Sequence, residues 1–251
     1  MTYFPYSIHG ETRPGRWLVT CDHARNTVPP DVNQGQLGLP QEDMERHIAY
    51  DIGAYGLSLH LGRLLNAPVI ASNFSRLVID PNRGEDDPTL LMKLYDGTII
   101  PANRHADGTE RERRLDAYYR PYHQALAQLA ARPNTAILSV HSFTPQLRGR
   151  LPRPWHVGIL SARDRRLADP LIRQLSAESD IVVGDNEPYL GDLPGDAIDR
   201  HATLPGRPSV LIELRNDLIA GEEAQSGWAE RLAPALQQAL AEVTSVSAGA
   251  V

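Results

Sequence analysis

The stretch Ile137-Leu138-Ser139-Val140-His141-Ser142-Phe143-Thr144-Pro145 decides the fold class of this chain. Ile137 to Val140 are apolar or small, follow a Pro133-Asn134 turn, and read as a buried strand. The strand runs into His141-Ser142-Phe143-Thr144, and Pro145 stops any regular continuation. A histidine at the carboxyl end of a buried strand lies where open α/β sheets hold their ligands.

Working outward, Trp17 to Cys21 is a second short apolar strand, ending in Asp22-His23-Ala24-Arg25-Asn26. Gln41 to Asn66 has Met44, Ile48, Ile52, Tyr55 and Leu59 at three- and four-residue spacing, which predicts a helix. Strands are predicted at Pro68 to Ala71 and at Ser75 to Asp80, the latter ending in Pro81-Asn82-Arg83. Thr109 to Ala131 reads as a helix, with a capping pattern at Thr109-Glu110-Arg111-Glu112 and a kink at Pro121. A strand at Val157 to Leu160, a helix at Asp164 to Ser176 and a strand at Ile181 to Val183 follow. The Gly/Asp/Pro-rich excursion from 184 to 207 is a candidate lid. The last strand, Ser209 to Asp217, carries charges at its end, and an amphipathic helix from Gly227 to Val243 closes the chain before a tail, 245–251, expected to fray. Alternation of strands and helices predicts one α/β domain over 1–251, core about 17–243, with a mixed, largely parallel central sheet between helix layers.

With 251 residues, 41% hydrophobic and 22% charged, the chain has the length and balance for such a core. A formal net charge of −6 argues against nucleic acid or an anionic membrane as partner, though it leaves room for a small anionic substrate in a basic pocket. The single cysteine, Cys21, permits no intrachain disulfide and suits a reducing compartment. Met1-Thr2-Tyr3-Phe4-Pro5-Tyr6 lacks the features of a signal peptide, and no apolar run nears the roughly 20 residues of a membrane helix. A cytoplasmic location is the expectation; the oligomeric state is left open.

Four predicted strands end in polar groups: Asp22/His23, Asp80/Asn82/Arg83, His141/Ser142 and Glu213/Arg215. Two histidines and a carboxylate make a catalytic zinc set that leaves a position for water. A separate glutamate can take the proton from that water. An arginine beside an asparagine suits capture of a carboxylate. There is no His-Glu-x-x-His, paired-cysteine, Gly-x-Ser-x-Gly or phosphate-loop motif.

Cys21-Asp22-His23-Ala24-Arg25-Asn26 with Pro29, Asp51-Ile52-Gly53-Ala54, Ser75 to Arg83, Pro121-Tyr122-His123 and Ile212 to Asp217 together resemble the N-formylglutamate amidohydrolase family. The resemblance runs from about residue 17 to about 240 and implies a fold like that of zinc carboxypeptidases and aspartoacylases. It implies His23 and His141 as metal ligands, Asn82 and Arg83 as the grip on a substrate carboxylate, and Glu213 as the catalytic acid–base. It implies a Zn²⁺ enzyme that cleaves the amide of a small anionic N-acyl amino acid, N-formyl-L-glutamate to formate and glutamate foremost. In the carboxypeptidase pattern a glutamate follows the first histidine by three residues, but here that residue is Asn26. Asp51 is the choice for third ligand, with Asp22 as competitor.

Around this set, Arg76 is assigned to the oxyanion, and Ser142, Arg215, Tyr189 and His201 to substrate contacts. Each also has a structural reading. Asp51 sits four residues after His47, so an ordinary helix-face pair would serve for both. Glu213 could pair with Arg215, and His123 with Tyr122 could simply pack a helix. A substrate with two carboxylates requires at least one further cation beside Arg83. Two other classes stay open: a carboxypeptidase-type amidase with a wider groove, and a binding protein that kept the fold and lost the metal.

Overall fold

The computed structural model describes residues 3–248. Its strands are β1 (Tyr6–His9), β2 (Trp17–Cys21), β3 (Val69–Ser72), β4 (Leu94–Tyr95), β5 (Thr98–Ile99), β6 (Ala136–Phe143), β7 (Val157–Leu160), β8 (Val183–Asp185) and β9 (Ser209–Arg215). Every residue of β2, β3 and β6, and all but the last of β9, is buried. Unbroken apolar burial of this kind marks strands covered on both faces. The main sheet has the order β1-β3-β2-β6-β9-β7-β8, while β4 and β5 form a separate hairpin. Strands β3, β2, β6 and β9 run parallel; β1 is antiparallel to β3, and the parallel pair β7–β8 joins β9 antiparallel.

Helices α1 (Gln41–Met44), α2 (Ala54–Leu64), α3 (Pro101–Arg104), α4 (Gly108–Arg114), α5 (Arg120–Ala130), α6 (Ala168–Leu175) and α7 (Glu222–Ala248) surround the sheet. Alternate residues face opposite ways. Val19, Leu138, Val140, Val210 and Ile212 pack into one core with α2, α6 and α7. Leu18, Ile70, Ile137 and Leu211 pack on the other side with Tyr122, Leu126 and Leu129 of α5. The result is the expected three-layer arrangement of a mixed sheet between helices.

Several segments depart from the sequence reading. The helix predicted over Gln41 to Asn66 is two short helices separated by turns from 45 to 53. Its apolar spacing served two cores: Met44 and Ile48 belong to a cluster outside the sheet, whereas Tyr55 and Leu59 pack on the sheet layer. Gly53, at φ 80°, makes the corner, and a β-carbon there would lie 2.2 Å from the carbonyl oxygen of Ile219. Ser75 to Asp80 is a buried loop rather than a strand. Tertiary donors satisfy its carbonyls instead of a ladder: Asn103 donates to Leu77 O (2.7 Å) and Arg114 to Val78 O (2.8 Å). The helix from 109 begins instead at Gly108, capped by Asp107, which accepts from Glu110 N at 2.9 Å. It passes through a π turn, Leu115–Tyr119, before Pro121, so the proline lies in the first turn of α5. The closing helix continues through Ala248, so 245–248 are helical; 249–251 lie outside the described residues.

The topology places the chemistry. From β2 the chain passes through α2 to β3 on one side, and later enters β6 on the other side of β2. The carboxyl ends of β2 and β6 therefore flank the crevice where strand order reverses, the usual ligand position in such sheets. Asp22 and His23 follow β2 directly, and His141 is the sixth residue of β6.

Candidate metal centre and active site

Three residues distant in sequence meet in that crevice. Asp51 enters from the turn before α2, its backbone N–H donating to the carbonyl of His23 at 2.9 Å. Its Oδ2 lies 2.8 Å from His141 Nδ1 and 3.2 Å from His23 Nδ1. The two imidazoles meet edge-on, with centroids 4.9 Å apart. One ligand atom from each of His23, Asp51 and His141 lies within 4.8 Å of the others, and all three residues are buried. Zinc bonds of about 2.1 Å in a tetrahedron separate ligands by about 3.4 Å, so a small opening of this cluster would fit the ion.

The opposite edges of both rings face carboxylates, as those of metal-binding histidines usually do. His23 Nε2 donates to Asp80 Oδ1 at 2.7 Å, and Arg76 donates to Asp80 Oδ2 through Nε (3.1 Å) and Nη2 (2.8 Å). Arg76 Nη1 also reaches Asp51 Oδ1 at 3.4 Å. His141 Nε2 lies 3.1 Å from Ser139 Oγ and 3.4 Å from Asp22 Oδ2, and Asp22 Oδ1 accepts from the Tyr122 hydroxyl. Ser142 braces Asp51, its N–H donating to Oδ2 at 3.3 Å, while its hydroxyl donates to Ile52 O at 2.7 Å.

Burial alone would raise these carboxyl groups, but their partners outweigh it. His23 and His141 hold Asp51 below the usual carboxylate range, and Arg76, His23 and Arg83 hold Asp80 well below it. His141 shows the converse: burial opposes its charge, yet Asp22, Asp51 and Glu213 raise it well above the ordinary imidazole value. Two imidazoles inside a surplus of buried carboxylate are a donor set suited to a divalent cation, whose binding would displace the proton.

Glu213 is the Cα partner of His141 across the β6–β9 ladder. It is buried, and its Oε2 has no hydrogen-bond partner. Burial, with Asp51 adding to it against His141, pushes its carboxyl up to about 7. A carboxyl poised there can both take and return a proton near neutral pH.

These groups open onto a cavity of about 140 Å³, whose wall also includes Asn82, Arg83, Ser142, Tyr189, His47, Tyr95 and Asp196. The volume suits a small molecule rather than a peptide strand. Arg83 Nη1 donates to Asn82 O (2.7 Å) and Nε to Thr89 Oγ1 (3.0 Å), so its hydrogen bonds go to neutral oxygens. Asn82 is fixed in turn: its N–H donates to Asp80 Oδ1 at 2.9 Å and its Oδ1 accepts from Ala197 N at 3.3 Å.

Two of the expected contacts lie outside the cavity wall. Arg215 leaves β9 toward Asp217 at 2.8 Å, and His201 Nε2 lies 2.8 Å from His123 Nδ1 with the rings stacked 5.1 Å apart. Asn26 donates to Met44 O at 2.9 Å and does not reach the cluster; Asp22 supports His141 rather than joining the three donors. His47 and Asp51 do not share a helix face, since the backbone between them is a turn. His47 instead places Nε2 3.4 Å from Asp96 Oδ2. The sequence reading did not assign Asp80 to His23, nor bring Asp196, Tyr95 or Ser139 into the site. The four-residue spacing of Arg76 and Asp80 was the sequence signal that could have placed Asp80 beside Arg76.

The description N-formylglutamate amidohydrolase belongs to a family model that matches residues 15–220. An N-formylglutamate deformylase of Pseudomonas putida is 28% identical over 91% of this chain and 88% of its own. The crystal structure of a gene product of Agrobacterium tumefaciens is 32% identical, with TM-score 0.90 and 96% of each chain covered. An N-formylglutamate amidohydrolase of Ralstonia eutropha, 23% identical over 98% of this chain and 99% of its own, shares the fold with TM-score 0.71. The chain belongs to the N-formylglutamate amidohydrolase family of enzymes.

Proposed function

We propose that this chain is a zinc-dependent, single-domain cytoplasmic enzyme that hydrolyses N-formyl-L-glutamate to formate and L-glutamate. The observation that carries the reading is the meeting of His23, Asp51 and His141 beside the buried, unpartnered Glu213 Oε2. The names of the relatives support the substrate. His23 and His141 through Nδ1, with Asp51 through Oδ2, would hold the ion, because those atoms converge while both Nε2 atoms face carboxylates. When bound, zinc supplies the Lewis acidity that makes water nucleophilic near neutral pH.

Glu213 then takes a proton from the water attacking the formyl carbon and delivers it to the departing amine nitrogen. Arg76, fixed by Asp80 and Asp51, presents positive charge to the cavity where the carbonyl oxygen gains negative charge. Arg83, steadied with Asn82, grips a substrate carboxylate, and Tyr189 lines the cavity beside it. The test is Glu213→Gln. It should retain zinc at the wild-type ratio and lose formate release by a factor of about 10²–10⁴; zinc-loaded variant with wild-type turnover would sink the mechanism.

A further inference from the structure

A dicarboxylate substrate needs a second cation, and the arginine proposed from sequence, Arg215, turns to Asp217 instead. Arg76 is committed to Asp80 and Asp51, and Arg46 to Asp43 and Asp96. Arg153 differs. Its guanidinium carbon lies 4.9 Å from the ring centroid of Tyr189 and 5.6 Å from that of Phe143, both of which line the cavity. Its Nη1 donates to Thr144 O at 3.1 Å, a third wall residue, and it has no carboxylate partner among the described residues. Arg153 is half-buried, so this unpaired charge is partly withdrawn from water. Its field also reaches the wall: burial first, then Arg46, Arg76 and Arg153 against Asp96, hold the His47 imidazole below its ordinary value. Thus Arg83 lines the small cavity and Arg153 packs against three of its wall residues, both guanidinium groups bonded only to neutral oxygens among the described residues.

Resting on the amidohydrolase reading, we propose that Arg153 is the specificity-determining residue for the second carboxylate, so that Arg83 and Arg153 together select an N-acyl amino acid with an acidic side chain. The rings of Tyr189 and Phe143 hold the guanidinium against the wall, which leaves its remaining N–H donors for a carboxylate. A neutral side chain would leave Arg153 half-desolvated and unpaired; an acidic one supplies the missing partner.

The experiment compares binding of glutarate and butyrate, which differ only in that glutarate carries a second carboxylate at the far end of the same chain, using calorimetry on the zinc-loaded protein. The wild type should prefer glutarate by about ten- to a hundred-fold, the range of a charge-assisted contact. Arg153→Met should bring the two probes to near-equal affinity, Arg153→Lys should keep part of the preference, and Arg83→Met should weaken both. A wild type that does not prefer glutarate, or a folded R153M that still does, overturns the proposal. If glutarate selection follows Arg153 but no N-formyl amino acid is hydrolysed, the second carboxylate site stands and the amidohydrolase reading falls.

Discussion

Replacing Asp80 by Asn isolates the support of the metal centre from the ligands themselves. Asp80 is fully buried and bonds three groups at once: His23 Nε2 at 2.7 Å and Asn82 N at 2.9 Å through Oδ1, and Arg76 at 3.1 and 2.8 Å through Oδ2. An asparagine of the same shape can keep one of those acceptors, but its NH₂ must then face a donor. It also removes the charge that balances Arg76. Loss of the carboxylate behind a ligating histidine costs about 10–100-fold in metal affinity, which corresponds to roughly 1–3 kcal/mol. Breaking a buried ion pair costs roughly 3–5 kcal/mol of stability; Arg76 keeps Asp51 Oδ1 at 3.4 Å, which places the loss at the lower end. The stability difference should depend on pH in a fixed direction. Against the cost of burial, Arg76 and His23 hold the Asp80 carboxyl below its unfolded value of 3.8. Its contribution is therefore complete above the unfolded pKa and lost as pH falls toward the folded one. Zinc titration against a competing chelator, with urea unfolding of metal-free protein at several pH values, measures both effects. Wild-type zinc affinity in D80N would refute the argument that Asp80 holds His23 in its ligating orientation.

Other outcomes follow from the same geometry. Glu213→Gln should stabilise the metal-free protein above neutral pH by about 3 kcal/mol, since a carboxyl raised from 4.5 to about 7 disfavours the fold once ionised. That gain should grow as pH rises from 4.5 to about 7 and vanish below, as denaturant unfolding across pH would show. Gly53→Ala forces a β-carbon at φ 80° to within 2.2 Å of Ile219 O. It should cost roughly 2–4 kcal/mol and lower zinc affinity through Asp51, read by thermal melts with and without metal. Asn26→Ala removes a single hydrogen bond to Met44 O. It should leave zinc content at the wild-type ratio and cost about 1 kcal/mol; loss of zinc would make Asn26 a ligand candidate.

The layered fold was legible because its central strands are short apolar runs that each end in polar residues, and sheet topology turns those ends into one site. Register added what composition cannot: His141 and Glu213 became neighbours only through β6–β9 pairing. The sequence misled where one apolar period served two cores, as in Met44 to Leu59, and where side chains replaced a ladder, as in Ser75 to Asp80. Arg215 and His201 were read from their neighbours in sequence, while their direction was set by Asp217 and His123. Asp51 could be chosen, but its route into the site depends on a glycine corner whose close contact with Ile219 lies far away in sequence.

The central claim is that His23, Asp51 and His141 together bind one metal ion beside Glu213. Elemental analysis of protein purified without chelator, for the wild type and for Asp51→Asn, tests it most directly. The expected result is about one equivalent of zinc in the wild type and a small fraction of that in a folded D51N. A zinc-free wild type that takes up none when zinc is added, or a D51N that keeps a full equivalent, would contradict it.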